Sequence, residues 1–404
     1  EIMRALAAFS PRGENARFGV VSVGEGERQV EISTFRLEGP YSDMRRPDRV
    51  EFTKNLADDL RRRDFTVNAI AYNPRTGYID PYDGRGDLKR GVLKTVSDAR
   101  ESFSTDALRI LRLARFYSQL GLKPEREALE AAKELKSGLN LISADRLREE
   151  LFLFVTGAFA ADALLDCREI IFEIIPELRA CDGFEQHNPN HCCDVFGHIA
   201  LTLRRCSPGL ALRLAALLHD VGKPPCFSLD ETGRGHFWGH MEKGEEMARE
   251  ILGRLGCPQR LADTVCALVL NHDKPYAATP AGARQWLARM GSKNIFLLID
   301  LKKADCMAHA KNYHNRLARV YAFKREVQLA LKRRDCYTLS ALAVNGAELC
   351  DALDIKPGPK TGTLLKKLLE AVIAGEAANN KDELIQLAEN YLNEEKHEND
   401  KNRA

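Results

Sequence analysis

The chain has 404 residues, 44% of them apolar and 29% charged, which gives enough apolar side chain for about two to four packed domains and excludes a disordered chain. Sixty Lys and Arg against 58 Asp and Glu leave a formal charge of +2, so any nucleic-acid surface must be local rather than a uniform basic coat. The 11 Cys include one adjacent pair, Cys192-Cys193, and lack CxxC spacing. That argues against a zinc knuckle or a disulfide framework. No stretch approaches the ~20 apolar residues of a membrane-spanning helix, and a reducing cytoplasm is the expected compartment.

Glu1 opens the chain inside a stretch, Ile2 to Phe9, that reads as a helix, and the sequence is expected to be a fragment. Phe18 to Val23 and Gln29 to Phe35 are β-branched runs separated by the polar turn Gly24-Glu25-Gly26, a hairpin pattern. Tyr78-Ile79-Asp80-Pro81 reads as a strand entering a turn. From about Ser104 the apolar period becomes helical, with Leu108, Leu111, Ala114 and Leu120, and stays so for the rest of the chain. The expected fold is mainly α with an N-terminal α/β remnant. The expected divisions are a head over 1–95, a helical neck over 96–190, a histidine-rich helical domain over 191–312, and a helical tail over 313–404 with a disordered end after about Lys396.

Two constellations carry chemistry. In the first, Arg61-Arg62-Arg63-Asp64 is anchored by Phe65, Val67 and Ala69-Ile70. Downstream, Asp106, Arg109, Arg112 and Arg115 recur every third residue, as one polar strip on an apolar helix. Taken alone, both are also what solvated, self-paired charge clusters look like. An Asp beside an Arg offers acceptors next to donors and so complements the amino group and ring nitrogen shared by cytosine and adenine, while mismatching uracil and guanine. Arg112 and Arg115 would hold a triphosphate through forked, charge-assisted bonds.

Glu31-Ile-Ser-Thr-Phe-Arg36, Tyr41-Ser-Asp-Met-Arg-Arg-Pro47, Asp59-Leu-Arg-Arg-Arg-Asp-Phe-Thr-Val-Asn-Ala69, Asp80-Pro-Tyr-Asp-Gly84 and Asp106-Ala-Leu-Arg109 resemble, in order and spacing, the motifs of class II tRNA nucleotidyltransferases. These are the bacterial CCA-adding enzymes and their poly(A) polymerase relatives. The resemblance implies a polymerase-β-like head, here incomplete, that adds C and A from CTP and ATP to a tRNA 3′ end with Mg²⁺. It implies that Arg63 contacts the nucleotide, that Asp106 and Arg109 read the base, that Arg112 and Arg115 bind phosphates, and that Glu31 is the third acidic residue of the head's metal site. Two departures follow. Thr105 stands where the family has Glu before the base-reading Asp. The family's Gly-Gly-x-x-Arg-Asp and Asp-x-Asp motifs fall before Glu1, so this chain as it stands is expected not to polymerise.

In the second constellation, His219-Asp220-Val221-Gly222-Lys223 closes the apolar run Leu210 to Leu218, and His198, His240, His272 and Asp305 recur near other helix ends. The HD-x-GK pattern resembles the HD metal-dependent phosphohydrolases. That resemblance implies one metal on His198, His219, Asp220 and Asp305, with His240 and His272 completing a second. Mixed imidazole and carboxylate ligands suit Mn²⁺, Ni²⁺, Fe²⁺ or Mg²⁺. Lys223 is expected either to neutralise phosphate or to cap its helix. Between Lys302 and Arg334 there are ten Lys or Arg against Asp305 and Glu326, interleaved with aromatic residues, a candidate tRNA-backbone surface. The rival readings are CC- or A-addition alone, poly(A) synthesis, an HD phosphodiesterase or phosphatase with an inactive RNA-binding head, and an inactive fragment.

Overall fold

The structure, a computed structural model, describes residues 19–24, 30–39 and 49–401. The expected Ile2–Phe9 helix, the Tyr41–Pro47 motif and most of the Gly24–Gly26 turn lie outside the described residues.

The head contributes short ribbons. β1 (Val20–Val23) pairs antiparallel with β2 (Val30–Ser33), Val20 opposite Ser33, as the hairpin pattern predicts. β3 (Arg36–Glu38) pairs with β4 (Val50–Phe52), and β5 (Ala71–Asn73) with β6 (Gly77–Ile79). Between them lies α1 (Leu56–Arg61), capped by the Asn55 side chain. α2 (Gly84–Arg90) then leads to β7 (Val92–Leu93), which pairs in parallel with β8 (Lys123–Pro124).

The neck begins with α3 (Ala99–Thr105) and α4 (Leu108–Leu120). α4 buries Ile110, Leu111, Leu113, Ala114 and Tyr117 and stops at Gly121, whose positive φ of 71° lets its N–H turn back to the Tyr117 carbonyl. α5 (Arg126–Leu135), α6 (Ala144–Thr156), α7 (Ala160–Asp166) and α8 (Arg168–Ile174) complete it. The histidine-rich bundle is α9 (Val195–Arg205), α10 (Leu210–Leu218), α11 (His240–Arg254), α12 (Gln259–Asn271) and α13 (Pro280–Ala308), the last kinked at Gly291. A small ribbon, β9 (Phe227–Leu229) with β10 (Gly235–Phe237), sits between α10 and α11.

One apolar core runs from Phe65 through the neck and the bundle to Ala330. It includes Val320, Phe323 and Val327 of α14 (Leu317–Arg333), so the helix expected to open the tail belongs to the bundle. A second core starts at Cys336 and joins α15 (Gly346–Leu353), α16 (Pro359–Ala374) and α17 (Lys381–Lys401). The last of these stays helical through the charged end expected to be disordered after Lys396.

Two polar links hold the layers in register. Buried Arg213 on α10 donates to the carbonyls of Val155 (3.1 Å), Gly157 (2.6 Å) and Cys206 (3.2 Å), tying the end of α6 to the bundle. Asp64 accepts from Arg112 Nε at 2.8 Å, from the Asn68 amide and from the Phe65 N–H, tying the head to α4. Burial pushes the Asp64 carboxyl up, but Arg112, Asn68 and Phe65 together bring it below its ordinary value.

Arg213→Met leaves these carbonyls without their donor and should cost about 3 kcal/mol in urea unfolding; an unchanged midpoint contradicts the assignment. Because the folded state lowers the Asp64 pKa, its contribution is complete above the ordinary carboxylate range and is lost as pH falls through the depressed value. Asp64→Asn should therefore be less stable than wild type at pH 7, with the gap closing on acidification.

Candidate metal centre and nucleotide cleft

The bundle brings one side-chain set together from five helices. His198 comes from α9, whose start is capped by Asp194 accepting from the Gly197 N–H. His219 and Asp220 follow the end of α10, His240 opens α11, His272 follows α12 and Asp305 lies on α13. Gly222 makes this convergence sterically possible. A Cβ there would sit 2.3 Å from the His240 carbonyl oxygen and 2.5 Å from the Gly244 nitrogen, so any side chain would push α11 off the site.

The expected ligands do meet. His198 Nε2 is 2.9 Å from Asp305 Oδ1 and 3.5 Å from Asp220 Oδ2. His219 Nε2 is 3.2 Å from Asp220 Oδ2, His272 Nε2 is 3.4 Å from Asp220 Oδ1, and His240 Nε2 is 3.4 Å from His272 Nε2. Asp220 stands between a His198–His219 group and a His240–His272 group, each compact enough to hold a cation.

The tautomers are set by the backbone. Nδ1 of His219, His240 and His272 donates to the carbonyls of Ala216, Phe237 and Val269, at 2.7 to 2.8 Å. A neutral ring that donates from Nδ1 keeps its Nε2 lone pair for a ligand, which is how metal-binding histidines are oriented. His219 Nε2 and both Asp220 oxygens are buried without a hydrogen bond of good geometry. Orphaned buried acceptors facing one another fit a divalent cation, and these residues pass that test.

The electrostatics agree. Burial raises the Asp220 carboxyl, yet positive charge beside it, on Lys223 and on His219 whenever that ring is protonated, outweighs the effect and holds it well below the carboxylate range. Burial pushes His198 down to about 4, against the pull of Asp305. Lys223 is buried, 2.7 Å from Asp220 Oδ2, and donates to Gln186 Oε1 at 2.9 Å. Its ammonium therefore balances Asp220, a role that neither the phosphate nor the helix-cap expectation covers.

Sequence reasoning missed His191 and His309. Together with His198 they form a further group of ring nitrogens close enough to share an ion. His309 was legible, since it lies one helical turn after Asp305; His191 sits in a loop and carried no periodic signal. A cleft of about 280 Å³ opens on the centre, with Asp220, His240, His272 and Asp305 in its floor. Its lining also includes Trp238, 78% exposed and stacked on His236, and Arg316, whose guanidinium lies over the Tyr313 ring.

The nucleotide strip is arranged differently from its spacing. Asp106 is not part of α4. It lies at the hinge after α3 in extended conformation (φ −137°), and its Oδ1 accepts from the Leu108 N–H. Arg109 donates to Ser102 Oγ and to the Arg62 carbonyl, which places it on the wall of a cleft of about 510 Å³ shared with Arg61, Arg62, Glu101 and Thr105. Arg112 and Arg115, expected to hold phosphate, are engaged inside the protein. Arg112 is paired with Asp64, and Arg115 Nε lies 3.0 Å from Glu150 Oε2 with its guanidinium over the Phe116 ring. Two buried carboxylates, 48 and 35 residues from these arginines in sequence, recruit them. Arg63 is exposed and donates to the Asn68 carbonyl. Glu31 is exposed on β2, and among the described residues it belongs to no group able to hold a metal.

The basic stretch is also partly internal. Lys302 is buried, donating to the carbonyls of His272 (2.6 Å) and Lys274 (2.8 Å), and Arg319 donates to the Tyr276 carbonyl. Arg325, Lys332, Arg333 and Arg334 remain exposed. Among the described residues, no helix is long and apolar enough to cross a membrane.

Comparison with known proteins agrees with both halves. A family described as the poly A polymerase head domain matches residues 3–94, and one described as the HD domain matches residues 193–310. The chain is 36% identical to an A-adding tRNA nucleotidyltransferase of Deinococcus radiodurans, over 81% of this chain and 78% of that protein. It is 27% identical to a CCA-adding enzyme of Leuconostoc mesenteroides, over 93% and 82%. The fold matches that of the Bacillus stearothermophilus CCA-adding enzyme solved in complex with CTP, with a TM-score of 0.68 at 24% identity, over 96% of this chain and 85% of that one. With that degree of identity along most of both chains, and with the head and HD domains in the same order, the chain belongs to the class II tRNA nucleotidyltransferases.

Proposed function

We propose that this protein matures tRNA 3′ ends by adding C and A from CTP and ATP without a template, and that its HD centre is a metal-dependent phosphohydrolase acting on phosphate esters. The observation that carries the first half is the Asp106–Arg109 turn at the edge of the cleft beside α3. Arg109 is held by Ser102 and the Arg62 carbonyl, so its guanidinium is fixed before a nucleotide arrives. Asp106 Oδ2 lies 4.0 Å from Arg146. A carboxylate acceptor and a guanidinium donor fixed in this way suit the amino and ring-nitrogen edge of cytosine or adenine. Arg61 and Arg62 line the same cleft and supply positive charge for a triphosphate. Mg²⁺ is the proposed ion of the head, and Glu31 alone does not make its site.

In the HD centre the residues fit Mn²⁺, Ni²⁺, Fe²⁺ or Mg²⁺ on His198, His219, Asp220 and Asp305, and on His240 and His272. Such an ion supplies Lewis-acid activation of a phosphate ester and of water. The chain's own contribution is to fix the ring tautomers, to balance Asp220 with Lys223, and to set Arg316 in the cleft lining for an incoming phosphate. Eleven free thiols suit a reducing cytoplasm, where we place the protein. The 36% identity to an A-adding enzyme favours one second reading, A-addition alone onto tRNA already ending in CC.

Asp106→Ala or Arg109→Ala should weaken the preference for CTP and ATP over UTP and GTP by about 1–3 kcal/mol. Unchanged discrimination on tRNA lacking its CCA end overturns the base-reading assignment. Product length on tRNA without CCA and on tRNA ending in CC separates full addition from A-addition. For the HD centre, His219→Ala should abolish metal-dependent cleavage of cyclic phosphodiesters and phosphomonoesters while leaving nucleotide addition intact. No cleavage by wild type with any of the four ions removes the phosphohydrolase half.

A further inference from the structure

We infer that His191 and His309 are metal ligands, completing with His198 an imidazole-rich ion position on the flank of the HD centre away from His240 and His272. The inference rests on the metal-centre reading above and extends its ligand set. One ring nitrogen of each of His191, His198 and His309 lies within 4.8 Å of the others. The ring centroids of His191 and His309 are 4.5 Å apart, and those of His198 and His309 are 4.7 Å apart.

The way His309 is held shows what it is prepared for. Its Nδ1 donates to the Asp305 carbonyl at 2.8 Å, the same backbone lock that orients His219, His240 and His272. That leaves the Nε2 lone pair free. The ring plane is fixed by stacking on Tyr313, at a centroid distance of 4.1 Å and an angle of 13°. His191 is brought up by its loop, which is pinned to the end of α13 where the Ala310 N–H donates to the Asn190 carbonyl at 2.9 Å. Nδ1 of His191 and Nδ1 of His198 are both buried without a hydrogen-bond partner. Purely structural histidines at this depth would be expected to find one.

The two flanks then differ in chemistry. Asp220 anchors the position shared with His240 and His272, whereas the outer position is dominated by neutral nitrogen donors. Nitrogen-rich sets favour Ni²⁺, Zn²⁺, Fe²⁺ or Cu²⁺ over Mg²⁺, so the flank would select a transition metal where the Asp220 side alone would not.

The test uses the full chain stripped with a chelator and titrated with Ni²⁺, alongside the His191→Ala/His309→Ala double variant. The double variant should bind one Ni²⁺ at least tenfold more weakly, and with Co²⁺ as a probe its ligand-field spectrum should shift to fewer nitrogen donors. The His191→Gln/His309→Gln pair repeats the measurement if the alanines unfold the loop. Identical isotherms and spectra for wild type and variants overturn the inference while leaving the Asp220 centre standing. Absence of Ni²⁺ and Co²⁺ binding by wild type overturns both.

Discussion

Asp220 is a carboxylate with 1% of its surface exposed, and the geometry of the HD bundle follows from what that burial demands. An isolated buried charge is costly enough that proteins pair it or neutralise it. Lys223 supplies one positive charge at 2.7 Å, which balances the anion once. His219 already gives its Nδ1 proton to a backbone carbonyl, so a neutral His219 presents a lone pair to Asp220 Oδ2 across 3.2 Å. Lone pair against lone pair at that distance is repulsive unless a proton or a cation lies between. The same holds for His272 across 3.4 Å. Protonating every ring would bury several uncompensated positive charges, and burial pushes His198 and His240 away from that outcome. A divalent cation satisfies all the acceptors at once.

The neck disposes of charge in the opposite way. Asp64, Arg112, Glu150 and Arg115 form a closed set of two anions and two cations, with both carboxylates buried. Charges spent on each other in this manner fix the crossing of the head, α4 and α6, and leave little for a ligand. Arg61, Arg62 and Arg109 line the neighbouring cleft, with Arg62 paired to Asp59 at 2.7 Å.

What could be read from the residues depended on how local the signal was. The hairpin of β1 and β2, the change to helical period near Ser104 and the HD cluster at helix ends were legible, because each is written within one or two turns of chain. The fate of Arg112 and Arg115 was not, since periodicity identifies a polar face without saying which distant carboxylate meets it. Lys302 looked like surface for the same reason. Its burial depends on the carbonyls of His272 and Lys274, which only folding brings near. His191 was hidden because loop residues have no period. The packing of α14 on the bundle was not legible, because that helix is basic on its exposed side yet buries Phe323 completely.

The two sites share a frame through α6. On one face of this helix Glu150 holds Arg115 and, at 3.8 Å, Arg112, which fixes the helix carrying Arg109. At its C-terminal end the Val155 carbonyl accepts from Arg213 on α10, the helix that delivers His219 and Asp220. A dense core between these points transmits displacement rather than absorbing it. The position of the Asp106–Arg109 turn and the position of the His219–Asp220 pair are thus referred to one rigid element. An insertion or a strained packing change in α6 would have to disturb both, even though neither site places a residue in the other's cleft.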